Sequence, residues 1–389
     1  MASLYLDWNA GAPVRPEVLE TFVRVEREAG ANPAALHRPG RHAQALLEQA
    51  RDEVASLLHC DSREVVFCGS ATEANNLGVL GAARAIARLE GRPPRLISSR
   101  AEHPAVLSPL RLLQQEGFPL RTLPLDRHAR IEAEALAEAL AEDEDPVLLA
   151  LQWANNETGA IQPLPERVPG RVHFHCDAVQ GIGKLPWDPR LATAAGLVLS
   201  GHKIGAPKGI AVLRLAEDRP FDPVIAGGGH QRGVRPGTEA PALAAAFAHA
   251  LRLALAEQEA FAAETAAAAG ALLEELRGFF GSDPSGFQEN QPPLGQGLPN
   301  TLNLSFPGID GRALLPACDA EGLAVASGSA CSSGSSQPSP VLLASGMDAN
   351  LARASLRISF GRPAGAAVGT EAGRRLVRVL ARLYKSANR

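Results

Sequence analysis

From Val65 to Ser200 short apolar runs alternate with helix-length amphipathic stretches, and this alternation restricts the fold more than any other feature of the chain. Val65–Cys68, Arg95–Ser99, Phe118–Leu123, Val147–Leu151, Val172–Cys176 and Gly196–Leu199 read as strands bounded by turn residues. Helical spacing follows Gly69 and covers Ala105–Gln115 and Ile131–Ala141. Strands separated by helices predict an α/β fold, with a mainly parallel sheet covered on both faces. Ligands of such sheets gather beyond the carboxyl ends of the strands. Polar clusters fall there: Glu102-His103, Asn155-Asn156-Glu157, Asp177 to Gln180, and Ser200 to Lys203.

The rest of the chain frames this unit. Pro16–Glu28 and Arg41–Leu58 have helical spacing, with Ala31–Ala34 and Arg38–Gly40 as loops between them. An alanine-rich helical stretch from Glu239 to about Phe280 is long enough to carry the chain out of the sheet, and Gly281–Pro299 is loop. A second alternation follows: strand Thr301–Ser305, a helix near Gly311–Glu321, a short Leu323–Val325, strand Ser355–Phe360 and a last helix over Thr370–Lys385. The expected organisation is a large domain, 14–255, and a smaller α+β domain made of 1–13 and 256–389.

Bulk properties exclude several classes. A net charge of −4, without a basic tail, gives no footprint for nucleic acid. No eighteen-residue apolar run implies a membrane span, and the first residues lack a signal-peptide pattern. Five cysteines at irregular spacing fit neither a disulfide framework nor a paired zinc motif, so a reduced, cytoplasmic setting is expected. Cys60, Cys68 and Cys318 lie in apolar surroundings and read as small buried hydrophobes. Cys331 sits instead in a run of small residues, Ser327 to Ser336, where a mobile loop is expected.

Three segments carry chemistry. Lys203 stands just past a strand end, among Ser200, His202 and glycines. A lysine there is either an ordinary loop residue or one whose ammonium is desolvated to make a Schiff-base nucleophile. Gly69 to Asn76 is a glycine-containing turn opening a helix, which offers a phosphate seat; Ser70 and Glu73 equally fit a capping box. His173-Phe174-His175-Cys176-Asp177 presents two histidines and a carboxylate to one strand face, a possible zinc set. The other reading makes Asp177 a buried carboxylate, which stays ionised only beside a cationic partner. Lysine Schiff base plus aspartate on a pyridine nitrogen is the signature of pyridoxal phosphate (PLP) enzymes.

Eight motifs in order then resemble the cysteine desulfurases, fold-type-I PLP enzymes related to the class V aminotransferases. They are Ala-Thr-Glu-Ala-Asn-Asn at 71–76, Glu-His at 102–103, Asn-Asn-Glu at 155–157 and His-Cys-Asp-Ala at 175–178. Ser-Gly-His-Lys at 200–203, Gly-Gly-Gly-His at 227–230, Arg-Pro-Gly-Thr at 235–238 and Ser-Gly-Ser-Ala-Cys-Ser-Ser-Gly at 327–334 complete the set. The resemblance covers nearly the whole chain, from Tyr5-Leu6-Asp7 to Arg357–Arg362.

The resemblance implies that Lys203 holds PLP, Asp177 pairs the ring nitrogen, His103 stacks on the ring and moves protons, and Gln180 bonds the phenolic oxygen. Ala71, Thr72, Ser200 and His202 would hold the phosphate. Thr238 would reach the phosphate of a neighbouring subunit, which implies a homodimer with shared active sites. Asn156 and Arg357 match the positions that hold the substrate carboxylate, a task suited to the planar arginine fork; a surface ion pair is the plainer role for Arg357. By the same resemblance Cys331 would place the chain in the long-loop subgroup, where this cysteine takes sulfur from L-cysteine as a persulfide, with release of L-alanine, and passes the sulfur to an acceptor protein such as an iron–sulfur scaffold. Selenocysteine lyase and class V aminotransferase are the alternatives on the same fold. A zinc hydrolase using His173, His175 and Asp177, or a non-catalytic sulfur carrier, are the alternatives outside it. Ala10-Gly11-Ala12-Pro13 replaces the family's usual Ala-Thr-Thr-Pro, and Trp8 stands where Asn or Tyr is common, which removes hydroxyls near the site entrance.

Overall fold

The computed structural model describes residues 3–142, 145–281, 283, 286–328 and 337–387. A short strand, β1 (Leu4–Tyr5), is followed by helices α1 (Pro16–Glu28) and α2 (Arg38–Leu58). Then β2 (Val65–Cys68) leads into α3 (Ala71–Glu90), β3 (Arg95–Ser99) into α4 (Pro104–Gln115), and β4 (Leu120–Leu123) into α5 (Ala133–Ala141). With β5 (Val147–Gln152), β6 (Val172–Asp177), β7 (Gly196–Ser200) and β8 (Ala211–Leu215) they build a seven-stranded sheet of order β2-β8-β7-β6-β5-β3-β4.

Neighbours in this sheet are parallel except around β8, which runs antiparallel to both β2 and β7. Every residue of β2, β5, β6 and β7 is buried, which is why β2, β5 and β7 read as nearly continuous apolar runs, while β6 alternates apolar side chains with the buried His173, His175 and Asp177. Register sets Gln152 opposite Asp177, and Asp177 opposite Val198, so the carboxyl ends of β5, β6 and β7 share one rim of the sheet.

Beyond the sheet come α6 (Pro241–Ala256), α7 (Gln258–Phe280), β9 (Gln288–Glu289), β10 (Thr301–Ser305), α8 (Gly311–Ala320) and β11 (Leu323–Ala324). Two short helices, α9 (Pro340–Ala344) and α10 (Ala349–Arg353), precede β12 (Ser355–Ser359) and α11 (Ala366–Ala387). β10 lies between β9 and β12, antiparallel to each, while β1 pairs in parallel with β11. The α7–α11 crossing is close. A Cβ at Gly369 would lie 2.0 Å from the Ala268 carbonyl oxygen, so only glycine lets the two backbones meet there.

Apolar side chains collect in separate cores. Leu47, Phe174, Phe247 and Leu251 join α2 and α6 to one face of the large sheet, and Val79, Leu110 and Leu148 pack on another. Leu6, Leu272, Leu302, Phe306, Leu356 and Leu376 form a core of their own. The separation falls at Glu257, between α6 and α7, where the sequence predicts one continuous helical stretch. No glycine or proline breaks the helix there. Instead Glu257 leaves helical geometry (φ −105°, ψ 7°) and its carboxylate accepts hydrogen bonds from Arg15 and Arg362. We propose that this break is the boundary between a large domain, 14–255, and a small one made of 1–13 and 256–389.

Other boundaries differ from the sequence reading. α2 starts at Arg38, inside the expected loop, because His37 caps the helix by accepting the Gly40 N–H and Pro39 fits its first turn. β8, α9 and α10 have no counterpart in the sequence reading, and β9 interrupts the expected loop Gly281–Pro299 by pairing with β10. Among the described residues no helix is long and apolar enough to cross a membrane.

Phe247→Ala and Phe306→Ala are each expected to cost ~3–5 kcal/mol of stability. Native-state hydrogen exchange should place the loss in α2, α6 and the large sheet for the first variant, and in β10, β12 and α11 for the second. A loss spread evenly over both regions in either variant contradicts the proposed boundary.

Candidate active site

The shared strand rim opens on a cavity of about 230 Å³. β6 delivers Asp177 to its wall, the turn after β7 delivers Ser200, His202 and Lys203, and the first turn of α3 delivers Ala71 and Thr72. His103, Asn156, Gln180 and Arg357 also line it. Ten of the twelve sequence-predicted site residues therefore meet in one place. Thr238 is exposed and lies outside this wall. Cys331 lies outside the described residues.

The start of α3 is capped as its sequence predicts. Ser70 accepts the Glu73 N–H at 3.1 Å as a helix cap, while the Glu73 carboxylate accepts from Gly69 N–H at 2.6 Å and from Arg235 Nε at 2.7 Å. A helix N-terminus still faces the cavity, with a positive dipole end suited to an anion. Beside it Ser200 Oγ and His202 Nδ1 are 2.9 Å apart. Burial, reinforced by Lys203, lowers the His202 imidazole to a pKa of about 4, so the ring is neutral at physiological pH.

Asp177 is almost fully enclosed. Its Oδ1 accepts the Val179 N–H at 3.1 Å and its Oδ2 accepts from Asn75 Nδ2 at 2.8 Å. Burial raises the carboxyl pKa, against the pull of His103, these two N–H donors and Lys203. His103 caps α4: its Nδ1 accepts the Ala105 N–H at 3.1 Å, which leaves Nε2 as the proton-bearing nitrogen of the neutral ring. Burial lowers its pKa as well. Lys203 Nζ donates to the carbonyl oxygens of Asn9 (2.6 Å) and Ala10 (2.8 Å).

Arg357 is buried on β12, and so does not take the surface role left open for it. Nη2 donates to Asp7 at 2.6 Å and Nη1 to the Asn156 carbonyl oxygen at 3.3 Å. One arm of the fork is thus already engaged by a carboxylate. That carboxylate holds a buried cation at the cavity wall and fixes its direction.

Two residues escape the sequence reading. Asn9 is buried and joins the pieces: its carbonyl accepts from Gln180 Nε2 (2.9 Å) as well as Lys203, and its Nδ2 donates to Thr301 Oγ1 at 2.8 Å. Lys184, also buried, donates to Asn9 Oδ1 (2.8 Å) and Gln180 Oε1 (2.6 Å). This donation fixes the Gln180 amide with its NH₂ on the Asn9 side. Burial drives the Lys184 pKa well below the ordinary lysine range, with Lys203 and Arg357 adding repulsion. The only sequence signal for it is a lysine set between Ile182 and Leu185 four residues past Gln180.

The zinc alternative does not assemble. His175 Nε2 is taken by Asn75 Oδ1 at 2.8 Å, and among the described residues no group of three His, Cys, Asp or Glu side chains is placed to hold a metal. Asn155 has a structural role, its Oδ1 accepting the N–H groups of Glu157 and Thr158.

An open-sided, mainly parallel sheet with a lysine, a buried aspartate and a helix N-terminus converging at its carboxyl rim defines a fold-type-I PLP enzyme. Comparison narrows the class: residues 4–365 match the aminotransferase class-V family, and the chain belongs to it. It is 37% identical to cysteine desulfurase IscS of Photobacterium profundum over 92% of this chain and 88% of that protein. To cysteine desulfurase NifS of Azotobacter vinelandii it is 35% identical, covering 93% and 89%. The solved structure of a NifS-like protein superposes with a TM-score of 0.87 at 29% identity, over 98% of this chain and 100% of that one. DndA from Streptomyces lividans gives 0.74 at 33% identity, over 92% and 99%. The family cofactor is PLP, and the donor set fits it: an enclosed carboxylate for a ring nitrogen, a helix end for a phosphate, and a lysine amine within one cavity.

The histidines of β6 set an acid response. Burial lowers His173 to about 3 and His175 to about 4, against roughly 6.5 in the unfolded chain. Below about pH 6.5 the unfolded state takes up protons that the folded state refuses. Stability present above that pH is therefore lost as pH falls, by up to ~1.4 kcal/mol per unit for each histidine. Neither ring nitrogen of His173 has a partner among the described residues. His173→Leu should thus cost little at neutral pH and flatten the fall in urea midpoint between about pH 6 and pH 4; an unchanged slope would show that His173 titrates normally in the fold.

Proposed function

We propose that this protein is a PLP-dependent cysteine desulfurase that converts L-cysteine to L-alanine and takes the sulfur onto Cys331. The observation that carries the reading is the meeting of Lys203, Asp177, the α3 N-terminus and buried Arg357 on one cavity. The named relatives support the choice of cysteine as substrate.

In this reading Ala71, Thr72, Ser200 and His202 hold the cofactor phosphate, Asp177 its ring nitrogen, and Gln180 its phenolic oxygen. His103 covers the ring. Bound PLP supplies an aldehyde that captures an amine and a conjugated ring that takes up the electron pair left at the substrate α-carbon. Arg357 and Asn156 hold the substrate carboxylate, and Asp7 keeps the arginine fork aimed at it. Lys203 Nζ removes the α-proton. The Cys331 thiolate then attacks the substrate sulfur; the new S–S bond forms as the Cβ–S bond breaks, and Cβ keeps the electron pair and takes a proton. The sum is L-cysteine plus a thiol giving L-alanine plus a persulfide, with no external oxidant.

The other thiols support Cys331 as the acceptor. Burial pushes Cys60 up to about 11 and Cys318 up to about 12, and also raises Cys68 and Cys176, so none of these is poised as a thiolate. We further infer a homodimer in which Thr238 completes the neighbouring subunit's phosphate site, a cytoplasmic setting, and onward delivery of the sulfur to an acceptor such as an iron–sulfur scaffold.

Cys331→Ala is expected to keep PLP and its visible absorption while alanine formation from L-cysteine falls to background. Alanine release at the wild-type rate by this variant would remove Cys331 from the reaction. A requirement for a keto-acid acceptor would point to an aminotransferase instead.

A further inference from the structure

His175 is fully buried, two residues before Asp177 on the same face of β6, and it does not itself line the cavity, which it reaches only through Asn75. Its ring occupies a slot cut by two glycines. A Cβ at Gly78 on α3 would lie 2.4 Å from Cε1, and one at Gly196 on β7 would lie 2.6 Å from Nδ1. Neither position accepts a side chain without expelling the ring, so the fold reserves space for an imidazole in one orientation.

That orientation places Nε2 2.8 Å from Asn75 Oδ1, while the amide nitrogen of Asn75 lies 2.8 Å from Asp177 Oδ2. The three groups form a buried line in which each choice of proton dictates the next. A carboxylate only accepts, so Asn75 must turn its NH₂ to Asp177 and its oxygen to His175. An amide oxygen only accepts, so His175 must carry its proton on Nε2. Nδ1 is then bare, and it has no hydrogen-bond partner among the described residues. With the opposite tautomer the Asn75 amide would turn over and present an oxygen to the carboxylate, which then stays buried only by taking a proton.

We propose that His175 is a positioning residue, held as the neutral Nε2–H tautomer, that locks the Asn75 amide so that Asp177 remains an acceptor facing the cofactor ring nitrogen. The proposal rests on the reading of Asp177 as the partner of that nitrogen. His175 never touches the reacting atoms. Its contribution is the sense of one amide, set through a neutral ring, which spares the interior the desolvation of a second charge.

The test uses the holoprotein with ¹⁵N-labelled histidine. The His175 signals, identified by their absence from His175→Gln, are expected to show a proton-bearing Nε2 and a bare Nδ1 at neutral pH; a bare Nε2 overturns the proposal without any variant needing to be stable. PLP affinity is then measured by fluorescence titration. His175→Phe, which offers no donor, should bind PLP about tenfold more weakly, whereas His175→Gln, whose amide N–H reaches the Nε2 position, should stay within about twofold of wild type. Equal loss in both variants, or no loss in either while Asp177→Ala binds poorly, shows that the relay alone is wrong. If Asp177→Ala binds PLP as tightly as wild type, the role given to Asp177 fails and the proposal falls with it.

Discussion

A carboxylate buried at the end of a strand is the constraint around which the site is arranged. Asp177 gains little from water, so its two oxygens must be served by fixed donors and by positive charge. The Val179 N–H and the Asn75 amide supply the donors; His103 and Lys203 supply the opposing electrostatics. The sheet makes this possible because β5, β6 and β7 end on one rim. A parallel arrangement carries each following loop to the same side, and the α3 N-terminus opens there as well.

A second constraint ties the two cores together at this rim. Asn9, carried just beyond β1, contacts Lys184, Lys203 and Gln180 from the sheet side, and Thr301 and Ser359 from the side of the second core. Arg357 does the same from β12, reaching Asp7 and the Asn156 carbonyl. The cavity is thus closed by groups from both cores, and its geometry depends on how they meet. Lys184 is the costly member, a buried amine bonded to amide oxygens rather than to a carboxylate. What it secures is the sense of the Gln180 amide at the cavity wall.

Much of this was legible in the chain. Most of the buried strands announced themselves because strands covered on both faces are largely apolar, as in Val147–Leu151. Asp177 and Lys203 stood out because charged groups at the ends of such runs need a reason to be there. Asn9 and Lys184 did not stand out, since their roles arise from partners far along the chain, such as Thr301, or from an amide whose orientation the sequence does not record. β8 is hard to read from the chain because it turns straight back, antiparallel, on β7 with no helix between them, and its apolar run is broken by Arg214. The break at Glu257 was missed because it is made by arginines at 15 and 362, not by a helix-breaking residue.

The proposed chemistry requires one covalent attachment, between the cofactor and Lys203. The chain contains four lysines, Lys184, Lys203, Lys208 and Lys385. Borohydride reduction of the purified holoprotein followed by peptide mass mapping should find the cofactor's mass on Lys203 alone. Finding it on Lys184, Lys208 or Lys385, or on no lysine at all, would contradict the arrangement described here.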